Sequence, residues 1–81
     1  MTAQDILLSL EHERLEVWKV PDGKIAVSYE NCEVKSGAFL IGKFGTGNTF
    51  AEACEDYLNQ LHGKTLVFNA YGQRRKEIRV L

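Results

Sequence analysis

Apolar residues along the chain change period several times, and each change marks a predicted element. Ala3, Ile6, Leu7 and Leu10 fall at the i, i+3, i+4, i+7 spacing of one helical face. Thr2 stands ahead of them with Asp5 three positions on, so a hydroxyl cap and a first-turn carboxylate open this helix, which is expected to fray near Glu13. From Leu15 the residues turn β-branched and aromatic. "LEVWKV" and "KIAVSYE" flank Pro21-Asp22-Gly23, a fixed φ followed by a residue free to take positive φ, and together they predict a hairpin. Ile25, Val27 and Tyr29 alternate with Ala26, Ser28 and Glu30. A connection, "NCEVKSG", leads to a third strand, "AFLIGKF", whose two faces are both apolar, with Phe39 and Ile41 opposed to Ala38, Leu40 and Phe44. Such a strand is expected to be central and covered on both sides.

The next stretch, "TFAEACEDYLNQLHG", returns to helical period. Thr49 and Glu52 form a capping box, Phe50, Cys54, Tyr57, Leu58 and Leu61 make the buried stripe, and Gly63 closes the helix beside His62. "KTLVFNAY" and "KEIRVL" then read as two strands around "GQRR". The fold class is α+β: a mainly antiparallel sheet of four to five strands with two helices, in the order α-β-β-β-α-β-β, forming one domain over residues 1–81. The two helices could both lie on one face of the sheet or one on each, and the doubly apolar third strand favours a cover on each face, by helix, loop or a second protein.

Composition narrows the function more than the fold. A chain of 81 residues makes one domain with a modest core, burying roughly 60–65% of the surface its unfolded form exposes. There is no apolar run of membrane-spanning length, and the acids within the first apolar segment do not fit a signal peptide, so a cytoplasmic location is expected. Cys32 and Cys54 are too few for a disulfide scaffold and are expected as free thiols. Residues 1–61 carry five Lys/Arg against ten Asp/Glu, whereas residues 62–81 carry five Lys/Arg against Glu77 alone. Glu11, Glu13 and Glu16 are expected to form a solvated face.

Candidate chemistry is sparse. Gly37–Lys43 satisfies G-x-x-x-x-G-K, but Phe44 stands where a phosphate-binding loop needs a hydroxyl, and the residues between the glycines are an apolar strand. "GTGNT" before the second helix is a better place for an anion, although glycines supplying positive φ for a strand-to-helix turn explain it as well. His12 and His62 lie in no metal-ligand spacing with the cysteines. No catalytic residue, metal ligand or cofactor is therefore expected. The basic run Arg74, Arg75 and Lys76, with Arg79 beyond and Tyr71 before it, is the expected partner-binding surface, joined by Trp18.

The run "GTGNTFAEACEDYLNQLHGKTLVFNAY" resembles small proteins encoded by bacteriophages and prophages of Gram-positive hosts, in its G-x-G-x-T-x-x-E-A segment, Tyr57, and "GKTLVFNAY" ahead of a basic patch. Its first part, "GTGNTFAEACEDYLNQL", is similar to the strand–turn–helix of the HicB-type antitoxin domain, although the preceding strands are spaced differently and the histidine chemistry of the toxin partner is missing. The resemblance carries no activity of its own; together with the small size and the missing catalytic groups it leads to the expectation of a small non-enzymatic protein that binds a host macromolecule as inhibitor or regulator, counter-defence included. A protein partner is expected first, with nucleic acid gripped by the basic C-terminal hairpin as the alternative. A homodimer through an open sheet face is a further expectation.

Overall fold

A computed structural model describes residues 2–10 and 14–80; the expected frayed end and acidic face at Glu11, His12 and Glu13 lie outside the described residues. Helix α1 (Ala3–Leu8) opens with the expected reciprocal cap, in which the Asp5 N–H donates to the Thr2 hydroxyl and the Thr2 N–H to the Asp5 carboxylate. It ends earlier than its periodicity suggests, at the Ser9 cap. Strands β1 (Leu15–Lys19) and β2 (Ile25–Tyr29) pair antiparallel across the Pro21-Asp22-Gly23 turn, where Gly23 takes φ 90° and the Asp22 side chain accepts from the Lys24 N–H.

The α+β class and the antiparallel pairing are as expected, but among the described residues the strands number seven, in two sheets, rather than four to five in one. The segment read as a connection is strand β3 (Cys32–Ser36), joined to β2 through Glu30-Asn31, where Asn31 adopts φ 54°. The segment read as one central strand divides into β4 (Phe39–Ile41) and β5 (Gly45–Gly47). One sheet runs β1-β2-β5, and the other runs β4-β3 before β6 (Thr65–Phe68) and β7 (Lys76–Arg79). Strand β4 therefore lies at a sheet edge: Phe39 is 74% exposed, and Phe44, expected in the core, is 49% exposed.

Helix α2 (Phe50–Leu61) is the centre of the core. Its buried residues Ala53, Cys54, Tyr57, Leu58 and Leu61 meet Val27 and Tyr29 from β2, Val34 from β3, and Leu66 and Phe68 from β6. Leu7 of α1 belongs to the same cluster, and the Tyr29 hydroxyl donates to the Leu7 carbonyl. Both helices thus stand on one side, one of the two arrangements that the sequence leaves open. The Thr49 hydroxyl caps α2 by accepting from the Glu52 N–H at 3.1 Å, while the Glu52 carboxylate accepts from the Asn48 N–H. Thr49→Ala is expected to destabilise the fold by about 1 kcal/mol in urea denaturation, because the helix loses a cap acceptor that water replaces only in part.

Gly45 and Gly47 were expected to supply positive φ, and neither does so. Their role is clearance. A Cβ on Gly45 would strike the Ala53 carbonyl and the Tyr57 backbone, and one on Gly47 would sit 2.5 Å from the Glu52 Cβ and 2.7 Å from the Ala53 nitrogen. Helix α2 rests directly on the β5 backbone.

Candidate functional site: the outer face of the sheet

Cross-strand partners share a face, and neighbours along a strand alternate. Since Val27 and Tyr29 point to α2, Ala26 and Ser28 point outward, and the register sets Trp18 and Thr46 on either side of Ala26. Trp18 is 39% exposed and its ring centroid lies 6.0 Å from that of Phe44, with the planes tilted by 48°. Ala26 is nonetheless fully buried between its neighbours. Two large rings half open to solvent on the face away from both helices form an apolar platform of the kind found at interfaces.

Beside this platform the chain bends at Glu30-Asn31, and the outer faces of the two sheets meet in an open cleft of about 520 Å³. Glu16, Ser28 and Glu33 line it from the strands, Asn31 from the bend, and Asn69 and Tyr71 from the turn after β6. Asn69 takes φ 54°, its side-chain amide donating to the Arg74 carbonyl, and this turn leaves Tyr71 91% exposed at the rim. Trp18 lies on the same face as Glu16, two residues along β1. Of the expected residues, Tyr71 thus lines the cleft, while Trp18 stands beside it on the same face as the lining residue Glu16.

The basic residues diverge. Arg75 donates to the Glu77 carboxylate at 3.0 Å and to the Ala70 carbonyl, and Lys35 reaches the same carboxylate at 2.9 Å. Lys35, followed by Arg75, holds the Glu77 carboxyl below its usual range. Lys76 shares the inner face with Phe68, its ammonium 5.7 Å from the ring centroid, whereas Arg79 alternates to the outer face beside Thr65. Arg74 is exposed in the turn. Of this run only Lys76 turns inward, while Arg75 and Arg79 stay on the face that Glu77 shares.

The "GTGNT" turn is filled from within. The Thr46 N–H donates to Asp56 at 2.9 Å and the Asn48 N–H to Glu52 at 3.0 Å, so the donors an anion would use already hold carboxylates. Burial pushes the Cys54 thiol up, away from the thiolate a nucleophile needs, and Cys32 is half-buried. Among the described residues no three His, Cys, Asp or Glu side chains are grouped to hold a metal ion. A second cavity of about 280 Å³ between α1, the end of α2 and β7 is lined chiefly by Ile6, Leu7, Leu10, Leu58, Leu61 and Val80, an extension of the core seam.

Phe44, Glu16 and Glu33 are site residues that sequence reasoning missed. The alternation of Cys32 and Val34 with Glu33 and Lys35 carried the signal for Glu33. For Phe44 there was none, because exposure depends on which strand ends at the edge. No helix among the described residues is long and apolar enough to cross a membrane. Comparison with protein-family models, curated proteins and solved structures returns no match.

Proposed function

We propose that this chain is a small non-enzymatic protein that acts by binding another protein through the outer face of its sheet. The observation that carries this reading is the half-exposed Trp18–Phe44 pair, set on the face opposite both helices and continuous with a cleft rimmed by Tyr71. Aromatic anchors beside a concave polar surface supply contact area at small conformational cost, and tryptophan and tyrosine dominate interface hot spots. The sequence resemblance, with the small size and the missing catalytic groups, leads to a bacterial host factor as the partner, inhibited or redirected when bound.

The test places a photo-crosslinking amino acid at position 18, at position 71, and at Glu55 on the solvent face of α2. Adducts are expected at 18 and 71 and not at 55. An adduct at twice the chain mass would identify a second copy as the occupant, the homodimer expectation. Adducts at all three positions or at none would sink the reading. The nucleic-acid alternative needs several free cations in one place, and Arg75 is engaged by Glu77. It would gain only from a duplex shift at low salt that fades steeply as salt rises.

A further inference from the structure

The outer face carries a charge pattern that specifies its occupant. The cleft lining holds two carboxylates, Glu16 and Glu33, and no lysine or arginine. Elsewhere the carboxylates of Asp5, Glu52, Asp56 and Glu77 are engaged by backbone or side-chain donors. Among the described residues those of Glu16 and Glu33 have no such partner, as is also true of Glu30 and Glu55, and what sets the first two apart is that they line one cleft. Ser28 and Asn31 add uncharged polar groups to the lining, Tyr71 stands at the rim, and the Trp18–Phe44 pair lies beyond Glu16 on the same face.

The geometry points to an extended segment of the partner protein bearing arginine, laid from the Trp18–Phe44 platform across the cleft to Tyr71. A guanidinium offers parallel N–H donors that match a carboxylate, and its flat face stacks on an aromatic ring. Lysine carries the charge but neither the fork nor the plane, so arginine is preferred. The inference rests on the protein-binding reading and fixes the sign of charge in it. The basic C-terminal run would draw an acidic partner; its Arg75 reaches the Ala70 carbonyl at the cleft rim but is held by Glu77, so the unpartnered carboxylates of the cleft draw a basic one.

The experiment selects peptides from a random dodecapeptide display library on the immobilised full-length chain, then titrates fluorescein-labelled copies of the enriched peptides by anisotropy. Arginine is expected to be enriched. Binding should weaken about tenfold for Glu16→Gln and again for Glu33→Gln, the worth of one hydrogen bond to a charged group. Replacing the peptide arginine by citrulline should do the same, and Glu55→Gln should change nothing. Circular dichroism checks that the isosteric Gln variants keep their fold. Enrichment of Asp and Glu, unchanged affinity in both Gln variants, or a library with no enrichment each overturns the inference. If enriched peptides of another charge still lose binding on Trp18→Ser, the protein-binding reading stands and the basic occupant alone is refuted. A library without enrichment together with no crosslink at 18 or 71 removes both.

Discussion

Gly45→Ala is expected to destabilise the protein by about 3 kcal/mol, the upper end of the cost of overpacking an interior. The added methyl would meet the backbone of α2 at Ala53 and Tyr57, which cannot rotate away as a side-chain tip can. Relief requires the whole helix to lift from β5, and its buried residues Cys54, Tyr57, Leu58 and Leu61 would lose contact together. For a domain whose total stability is on the order of 5–15 kcal/mol, this is a large fraction. Gly42→Ala is the matched control, because nothing lies within 4 Å of its added Cβ. In urea denaturation the midpoint of Gly45→Ala should fall with the slope unchanged, while Gly42→Ala stays near the parent. Equal midpoints for the two variants would mean that α2 does not sit on β5 as described. The consequence extends to the site: a helix seated this low takes one face of β5 completely, so the opposite face, with Thr46 and the adjoining Phe44, must turn outward.

Elements set by local chemistry were legible in the sequence, and those set by distant packing were not. Thr2 and Thr49 mark their helices because a cap acts within three residues, and Pro21-Asp22-Gly23 marks its hairpin for the same reason. Strand β3 was hidden because Asn31 and Gly37, both at positive φ, read as loop ends although Cys32 to Ser36 alternate as a strand should. The doubly apolar "AFLIGKF" misled in the other direction. Central strands and edge strands beside an aromatic platform have the same composition, and only the topology separates them. Gly45 and Gly47 show a third limit, since glycine is demanded equally by positive φ and by a missing Cβ. The candidate site inherits these limits: Trp18 and Tyr71 were visible as aromatics that could join a binding surface, whereas Glu33 and Phe44 depended on strands whose neighbours the sequence does not reveal.

Tyr57→Phe is expected to lower stability at pH 7 by about 1–3 kcal/mol, because it strands a buried donor. The Tyr57 hydroxyl accepts from the Tyr29 N–H at 3.1 Å inside the core, and Tyr57 is 1% exposed, so water cannot readily replace it. The same burial gives the variant a distinctive response to alkali. Burial pushes the Tyr57 phenol above its usual value near 10, against the opposing pull of the Tyr29 N–H. A folded-state pKa above the unfolded one gives a stabilising contribution that is complete below pH 10 and declines as pH rises beyond it, since the unfolded chain releases its proton and the folded chain retains it. The loss from this one group approaches about 1.4 kcal/mol per pH unit, and Tyr57→Phe removes it. The parent should therefore lose stability faster than the variant above pH 10, so that the gap between them, widest near neutrality, narrows toward pH 11.5. Every other ionisable group is common to the two proteins and cancels in the difference. Parallel stability curves would mean that the phenol ionises alike in folded and unfolded chains, and the junction between α2 and β2 would then have to admit water that its packing excludes.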